Sequence, residues 1–376
     1  MEKNDLELMK IIKKYNYIGV SVLHAKKDGA DLYMHDGLLD KETKEPITDG
    51  TIFRIASISK VIVALGIMKL YEQGKVKIDE DISNYLGYTV RNPLYPNEII
   101  TLEQLMTQTS SINDNGTDGH GYDGVNGPTY EISLKRMLTD PTYEHYCPET
   151  FSKYHPWQEW RYSNFGCGIL ACIIESVTGR YFTDFIREEL LLPLGLDASF
   201  RAGDIVHYDD IASLYEYDPN KKDFIKERDK ELFIRYMFPK YPLGNNFRGP
   251  AGGLFINPMD LSKIMRMMMN KGIVDGVRLF KEETINFMEQ IHWKGYSYDP
   301  NYKAKGLQLC LMDGISKKTL KGHTGYAYGL RSFMFYNDTD GYIFMCNGAD
   351  YGSFMDHMSR FQEEVLTYLV RKYENE

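Results

Sequence analysis

Short stretches in which apolar residues dominate occur in pairs near both ends of the chain. IGVSVLH (18–24) and DLYMH (31–35) are joined through Lys27-Asp28-Gly29. GLRSFMFY (329–336) and YIFMCN (342–347) flank Asp338-Thr339-Asp340-Gly341. Asp-Gly between β-rich stretches is typical of a hairpin. The sequence therefore predicts two β-hairpins, one near each terminus.

Helical spacing of apolar residues appears at both termini. A short amphipathic helix is predicted at the start, where Leu6, Met9 and Ile12 follow a candidate cap at Asn4. A final helix is predicted with Met358, Phe361, Val365, Tyr368 and Leu369 on one face. Each hairpin therefore has a predicted helix close to it in sequence.

The stretch FRIASISK (53–60) leads into the apolar run Val61–Met68, which has no polar side. Such a helix is buried all round, and Gly74 is a suitable stop. Residues 76–285 are mostly helical in pattern, with long loops, and one helix there is marked by Asn257 as cap, Pro258 in first position and Gly272 as stop.

These elements predict an α+β fold, in which an antiparallel sheet is flanked by the N- and C-terminal helices and a large, mostly helical domain is inserted. Residues 1–75 and 286–376 would form the discontinuous sheet domain, and residues 76–285 the insert. The active site is expected in the cleft between the two.

Composition and charge narrow the classes of function. The chain of 376 residues has a net charge of −9 and no basic stripe, which argues against nucleic-acid partners. Its apolar run is shorter than the roughly 20 residues of a membrane-spanning helix. The five cysteines form no Cys-x-x-Cys pair, so we expect neither a metal site nor a cofactor. With no secretory signal visible, a cytoplasmic protein is expected if Met1 is the native start, and an extracytoplasmic one if a leader was removed.

Ser57 and Lys60 are three residues apart and so share one helix face. Burial of Lys60 would favour its neutral form, which can take a proton from a serine hydroxyl. The competing interpretation is that Ser57 caps the helix and Lys60 reaches solvent. Ser59 points about 100° away from Lys60 on a helix, so it is interpreted as structural.

Two further stretches carry candidate chemistry. Arg161-Tyr162-Ser163-Asn164 precedes a helix that ends at Gly179, and a nearby lysine cation would favour the phenolate of Tyr162. Lys321-Gly322-His323-Thr324-Gly325-Tyr326 precedes the C-terminal hairpin, where small residues on a strand let a substrate backbone approach.

The order S-x-x-K, Y-x-N and H-T-G resembles the serine β-lactamase and penicillin-binding protein superfamily. Tyr-x-Asn as the second motif is similar to the class C branch, with its D-Ala-D-Ala carboxypeptidases, D-aminopeptidases and β-lactamase-like esterases. ITLEQLMTQTSSI (100–112), LLLPLGLDASF (190–200) and GPAGGLFINPMDL (249–261) extend the resemblance over nearly the whole chain.

The resemblance implies a β-lactamase/transpeptidase-like fold and a role for each matching residue. Ser57 would be the acylated nucleophile, with Lys60 and Tyr162 as general base and acid in an order left open. The oxyanion hole would consist of the backbone N–H groups of Ser57 and Tyr326. Contacts with the substrate would come from Asn164, His323, Thr324 and Gly325.

The expected function is therefore a serine hydrolase that forms an acyl-enzyme with a small amide, peptide or ester. Gln108 and Ser111 stand where family members often carry His and Gly, and His323 stands where the β-lactamases of this branch use lysine. A neutral histidine holds a β-lactam carboxylate poorly, which favours peptidase, amidase or esterase activity. The alternatives are a true class C-type β-lactamase and an acyl-binding sensor without turnover, with β-lactams as substrates or inhibitors.

Other sites are less favoured by the sequence. The loop DNGTDGHGYDGVNG (114–127) loosely resembles a calcium loop but lacks a glutamate at its twelfth position, so a mobile polar loop is expected. Trp157 and Trp160 are candidates for an aromatic cleft wall or for plain packing. No G-x-S-x-G stretch supports an α/β-hydrolase.

Overall fold

The computed structural model describes residues 4–125, 131–234, 242–295, 304–355 and 358–374. The helices are α1 Leu6–Ile12, α2 Ser59–Glu72, α3 Ile82–Leu86, α4 Leu102–Thr107, α5 Gly121–Gly124, α6 Leu134–Thr139, α7 Asn164–Thr178, α8 Phe182–Ile186, α9 Lys230–Ile234, α10 Pro258–Met269, α11 Glu282–Glu289 and α12 Arg360–Tyr373. The strands are β1 Gly19–Lys26, β2 Gly29–Asp40, β3 Glu45–Pro46, β4 Phe53–Arg54, β5 Gly116–Thr117, β6 Leu214–Asp218, β7 Asp223–Arg228, β8 Phe255–Ile256, β9 Ile273–Val274, β10 Val277–Arg278, β11 Trp293–Lys294, β12 Ala304–Lys305, β13 Cys310–Met312, β14 Leu320–Ala327, β15 Leu330–Tyr336, β16 Asp340–Cys346, β17 Phe354–Met355 and β18 Met358–Ser359.

Nine strands form one antiparallel sheet in the order β11-β12-β13-β14-β15-β16-β1-β2-β3. Both predicted hairpins are confirmed, as β1–β2 and β15–β16. The two hairpins are neighbours, because β1 pairs with β16 from Val20 opposite Cys346 to Lys26 opposite Asp340. The sheet therefore joins the two ends of the chain, and the α+β prediction is confirmed.

Side chains on the central strands alternate between two cores, because successive residues of a strand face opposite sides. Phe333 and Phe335 pack with α1 and α12, whereas Met334 packs on the side of α2 and α7. The helix α10 also lies on this second side, where its Met265 contacts the strand β16 at Gly341. Both faces of the sheet are therefore covered by helices.

The N-terminal helix differs in detail from its prediction. Its cap is Asp5 and not Asn4, because the Asp5 carboxylate accepts from the backbone N–H groups of Glu7 and Leu8. Leu8 and Ile12 are buried, whereas Leu6 is 78% exposed. The buried face thus includes Leu8 in place of Leu6 and keeps Ile12. Asp5 accepts hydrogen bonds from Tyr368 and Lys372 of α12.

The predicted helix start and stop signals elsewhere are largely confirmed. Asn257 caps α10 and Pro258 is its first residue. The C-terminal helix starts at Arg360 behind a capping box of Ser359 and Gln362, so Met358 lies in β18 and not in the helix. Helices are the commonest regular elements in the middle of the chain, which also contains long loops and the hairpins β6–β7 and β9–β10.

The proposed division at residues 75 and 286 remains a prediction. All nine strands of the sheet lie outside residues 76–285, in agreement with it. Helix α10 falls inside that range, yet it packs on the sheet, where Arg266 and Asn270 donate hydrogen bonds to the carbonyl of Lys27.

Across the described parts of the chain, no single helix is long and apolar enough to cross a membrane. The helical segments 164–178 and 182–194 are long and apolar enough only when taken together, and the chain bends by 84° between them.

Candidate active site

Ser57 lies in a single 3₁₀ turn, Ala56–Ile58, which leads directly into α2. Ala56 has a positive φ of 51°, a conformation that costs energy for any residue with a Cβ and persists only where neighbours hold it. Two hydrogen bonds fix the preceding residue: Ile55 N–H donates to Leu254 O at 2.9 Å, and Ser332 Oγ donates to Ile55 O at 3.0 Å. The turn is therefore clamped between two other segments.

Ser59 is part of this clamp. Its Oγ accepts a hydrogen bond from the backbone N–H of Leu254 at 3.1 Å, and the residue is fully buried. This contact agrees with the interpretation of Ser59 as structural.

Lys60 is fully buried, and its Nζ has three close partners. Nζ lies 3.0 Å from Ser57 Oγ, 2.7 Å from Asn164 Oδ1 and 2.7 Å from the carbonyl oxygen of Ala251. The two carbonyl-type oxygens can only accept hydrogen bonds, so a neutral amine donates both of its N–H groups to them. Its lone pair is then left for the hydroxyl of Ser57.

The charge state of Lys60 follows from its surroundings. Burial lowers the pKa of Lys60 to about 8, and the charge of Arg54 acts in the same direction. The expectation from sequence that a buried helix would favour the neutral amine agrees with this shift.

Tyr162 approaches Ser57 from the other side, and its OH donates to Ser57 Oγ at 2.7 Å. Burial raises the pKa of Tyr162 far above its ordinary value. The expectation that the lysine cation would favour a phenolate is therefore wrong, although Nζ of Lys60 lies only 4.9 Å from the ring centroid. Tyr162 is a phenol and a proton donor at neutral pH, since desolvation outweighs the hydrogen bond to Ser57, which acts in the opposite direction.

Trp160 and Trp157 differ in how far they are exposed to solvent. Trp160 is 2% exposed and meets the ring of Tyr162 edge-on, with centroids 6.4 Å apart. Trp157 is 38% exposed. Trp160 therefore packs behind Tyr162 and helps to fix its ring.

Asn164 is the first residue of α7, with Ser163 as its cap. Its Oδ1 holds Lys60 and its Nδ2 donates to Asp114 Oδ2 at 2.7 Å. Both ends of the amide are thus occupied by protein groups in this structure. The predicted contact between Asn164 and a substrate amide stays a prediction.

Asp114 was missed as a site residue. Its carboxylate accepts hydrogen bonds from the backbone N–H of Asn164 at 2.8 Å and of Phe165 at 2.8 Å, besides the Asn164 side chain. A carboxylate at a helix N-terminus is stabilising. The loop around it contains β5 and α5 up to residue 125, while its last two residues, 126 and 127, lie outside the described part.

The strand β14 passes directly beside Ser57. A Cβ added to Gly325 would lie 2.5 Å from Ile55 O and 3.2 Å from the Cβ of Ala56, so only glycine permits this approach. Tyr326, the next residue, is 51% exposed through its side chain. The predicted Gly325 and Tyr326 are therefore adjacent to the turn that carries Ser57.

His323 and Thr324 precede this crossing point on β14. His323 is buried, its ring lies 6.1 Å from that of Tyr162, and its Nδ1–H donates to the carbonyl of Thr324 at 2.5 Å. Burial, with the nearby Lys60 charge, lowers the pKa of His323 to about 3. The imidazole is therefore neutral at working pH, as its use in place of lysine suggested.

Two of the three departures from the family pattern, Gln108 and Ser111, lie at unusual backbone conformations. Gln108 and Ser111 both have left-handed backbones, with φ of 62° and 63°. Glycine adopts this conformation freely, which explains why it suits position 111. Within the described residues, no group of three or more His, Cys, Asp or Glu side chains is placed to hold a metal.

The antiparallel sheet between helices, with a serine and a lysine at the start of a buried helix, defines the class of penicillin-binding proteins and serine β-lactamases. The family model described as Beta-lactamase matches residues 6–366, and the chain belongs to this family, one of serine hydrolases. The chain is 29% identical over 223 residues to penicillin-binding protein 4* of Bacillus subtilis (strain 168). That match takes in 57% of this chain and 46% of the relative, so the chain spans less than half of that protein.

Two solved structures show the same fold. The octameric penicillin-binding protein homologue from Pyrococcus abyssi has a TM-score of 0.74 at 22% identity, over 99% of this chain and 76% of the other. The D-amino acid amidase from Ochrobactrum anthropi SV3, complexed with L-phenylalanine amide, has a TM-score of 0.71 at 21% identity, over 98% and 97%.

Proposed function

We propose that this chain is a hydrolase that cleaves a small amide, peptide or ester through an acyl-enzyme on Ser57. The observation that carries the proposal is the double contact of Ser57 Oγ, 3.0 Å from the amine of Lys60 and 2.7 Å from the phenol of Tyr162. A nucleophilic serine needs an adjacent base, and a leaving group needs an adjacent acid.

Lys60 is the base in this proposal. Ser57 gives its proton to the Lys60 lone pair as Oγ bonds to the substrate carbonyl carbon. The resulting ammonium of Lys60 keeps its hydrogen bonds to Asn164 Oδ1 and to the carbonyl oxygen of Ala251, so no side chain needs to move. The phenol of Tyr162, whose pKa is raised by burial, is unsuited to take this first proton.

Tyr162 is the acid that serves the leaving group. As the tetrahedral intermediate collapses, the bond to the leaving group breaks and the Tyr162 OH protonates the departing nitrogen or oxygen. The proton on Lys60 then restores the phenol. Water cleaves the Ser57 ester in the second half of the reaction, with its proton taken by the same pair.

The backbone N–H groups of Ser57 and Tyr326 are proposed to stabilise the oxyanion. The contact of Gly325 with the turn at Ile55 and Ala56 supports this, because it brings the next N–H of β14 close to Ser57. A donor of this kind contributes about 3–4 kcal/mol to the transition state. His323 and Thr324, before that point on β14, are proposed to line the leaving-group side, and Asn164 to contact the substrate amide.

Amidase, peptidase or esterase activity is preferred to β-lactamase activity. The neutral imidazole of His323 supplies no cation for a β-lactam carboxylate. The alternatives remain a class C-type β-lactamase and a sensor that is acylated without turnover.

A substrate panel tests the proposal and separates these alternatives. Short-chain p-nitrophenyl esters, D-alanyl amides and nitrocefin should be compared on the unmodified protein and on the Ser57→Ala variant. We expect Ser57-dependent cleavage of esters or amides, with nitrocefin slower. Fast nitrocefin hydrolysis would assign a β-lactamase, and a penicillin adduct on Ser57 that persists without turnover would assign a sensor.

A further inference from the structure

Two arginine side chains from separate segments lie against the ring of Tyr328, in the turn after β14, and the charge of a third acts on it. The guanidinium carbon of Arg228 lies 3.8 Å from the ring centroid of Tyr328, and that of Arg54 lies 5.1 Å from it. Arg248 is close enough for its charge to act on the phenol as well. Burial alone raises the pKa of Tyr328, but these charges outweigh burial and lower it. The turn therefore lies in a strongly positive environment.

This arginine cluster adjoins the candidate active site. Arg54 precedes Ser57 by three residues, and its charge reaches Lys60. Tyr328 follows Gly325 by three residues on the far side of the crossing point, whereas His323 and Thr324 lie before it. If His323 and Thr324 line the leaving-group side, the cluster faces the acyl side of the substrate.

The charge of the cluster is incompletely balanced by carboxylates. Nη1 of Arg54 is buried and has no hydrogen-bond partner among the described residues. Nη1 of Arg248 donates hydrogen bonds to the carbonyl oxygens of Tyr122 and Val125. Glu227 is 3.8 Å from Arg228, at the outer limit of an ion pair, and Asp123 is held near Arg248. Nη1 of Arg228 also donates to the carbonyl oxygen of Glu227. Within the described part of the chain, carboxylates thus offset the positive charge of the cluster only at longer range.

Two side chains of the cluster are also partly accessible from solvent. Arg228 is 30% exposed and Tyr328 is 39% exposed. A guanidinium presents paired N–H donors that match a carboxylate, and a partly desolvated site strengthens that contact. A buried donor without a partner is costly, so Arg54 Nη1 gains most from an incoming acceptor.

We propose that the acyl part of the substrate ends in a carboxylate, which Arg54 and Arg228 bind beside Tyr328. The inference rests on the proposed acyl-enzyme and adds its substrate class, an ω-carboxyacyl ester or amide. An acyl group with a free ammonium is disfavoured here, because the three arginines repel it. The amino acid amide bound by the structurally similar amidase, and the D-alanyl amides of the substrate panel, would therefore be poor substrates for this chain compared with esters that lack the ammonium.

Three p-nitrophenyl esters of one chain length test the inference: the adipate monoester, the hexanoate and the 6-aminohexanoate. They end in a carboxylate, a methyl and an ammonium group. We expect kcat/KM to fall in that order, by about ten-fold at each step, which corresponds to roughly 1.4 kcal/mol for one charge contact. The adipate preference should shrink as ionic strength rises to about 0.5 M, because salt screens partly exposed charges.

Arg228→Gln should lower kcat/KM for the adipate ester about ten-fold more than for the hexanoate ester. Arg180→Gln is the matched control, since this arginine is 35% exposed, pairs with Glu188 and Glu189 away from the site, and should leave the ratio unchanged. Equal kcat/KM for adipate and hexanoate, preference for the ammonium ester, or an unaltered ratio in Arg228→Gln would each overturn the inference.

Binding separates this inference from the proposed hydrolysis. Calorimetry on the Ser57→Ala variant should give tighter binding of adipic acid monoanilide than of hexananilide, with the difference lost in Ser57→Ala/Arg228→Gln. That result would support the carboxylate site even if no ester were cleaved by the unmodified protein. Equal affinities would reject it even if Ser57-dependent ester cleavage were observed.

Discussion

The amine of Lys60 lies 3.0 Å from Oγ of Ser57 while Asn164 and Ala251 occupy two of its hydrogen-bonding directions. A protonated amine donates to all three oxygens, and a neutral amine can offer its lone pair only to Ser57. The loss of one proton from Lys60 thus converts a donor to Ser57 into an acceptor from it. Four consequences of the site geometry can be measured.

The first prediction concerns pH. Burial places the pKa of Lys60 at about 8, and the proposed active form is the neutral amine above that value. The value of kcat/KM for an ester should therefore rise as pH increases through about 8 and level off above it, since this parameter reports the free enzyme. A stopped assay from pH 6 to 10 measures this rise of kcat/KM with pH.

Two lysine variants test whether Lys60 causes this rise of kcat/KM with pH. Lys60→Met should lower kcat/KM by about 10³-fold, within the range of a lost general base. Lys69→Met, on the same helix with its Nζ on the carbonyl of Leu279, should keep this rise in place. If the residual activity of Lys60→Met still rose with pH near 8, the pH dependence would belong to a group other than Lys60.

The second prediction concerns Tyr162 as the acid. Tyr162→Phe removes the proton donor, so the loss in kcat should be about 10²-fold or more for an amide or alkyl ester, whose leaving group needs a proton. The loss should be much smaller for a p-nitrophenyl ester, because p-nitrophenolate leaves without one. Tyr71→Phe is the control, since Tyr71 is 37% exposed and stacks on Phe287. Equal losses on both leaving groups would argue against the assigned role.

The third prediction concerns Asp114. Asp114→Asn weakens the acceptor at the start of α7 that holds Asn164 and, through it, Lys60. We expect the free energy of unfolding to fall by about 1.5–3 kcal/mol, the range for hydrogen bonds to charged groups, and kcat to fall with it. Thermal unfolding and ester turnover measure the two effects. Asp118→Asn, in the same loop but exposed, should change neither; an effect equal to that of Asp114→Asn would point to the loop as a whole.

The fourth prediction concerns Gly325. A Cβ there would lie 2.3 Å from Ser332 Oγ and 2.5 Å from Ile55 O, so Gly325→Ala must push β14 away from Ser57. Overpacking of this kind costs about 1–3 kcal/mol, and kcat should fall more than KM rises because the proposed oxyanion donor moves. Gly29→Ala is the control, since nothing lies within 4 Å of its added Cβ. Unchanged kcat in a folded Gly325→Ala protein would remove Tyr326 N–H from the proposal.

The sequence predicted the parts of this fold that depend on local pattern. The hairpin at Asp28-Gly29 and the start of α10 at Asn257 each follow from adjacent residues. The second hairpin forms as predicted, but it turns at residues 337–339, and Asp340-Gly341 lies inside β16. The choice between Asn4 and Asp5 as helix cap could not be made locally, because Tyr368 and Lys372 of the last helix favour Asp5.

The candidate site was predictable where family-like motifs mark it, and the structure brings Ser57, Lys60 and Tyr162 together. Asp114 carries no motif and lies fifty residues before Asn164, so only the folded chain links the two. The sign of the shift in the pKa of Tyr162 was mispredicted because burial, which sequence reveals poorly, is its largest cause. The arginine cluster likewise joins residues 54, 228 and 248, whose meeting no spacing indicates.

The central claim is that Ser57 becomes covalently acylated with Lys60 as its base. Labelling with a fluorophosphonate, followed by peptide mapping, tests this most directly on the unmodified protein and the Ser57→Ala, Lys60→Met and Ser59→Ala variants. We predict one adduct on Ser57, absent in Ser57→Ala, at least about 10²-fold slower in Lys60→Met, and retained in Ser59→Ala. An adduct on another residue, or none in a protein whose esterase activity survives Ser57→Ala, would contradict the claim.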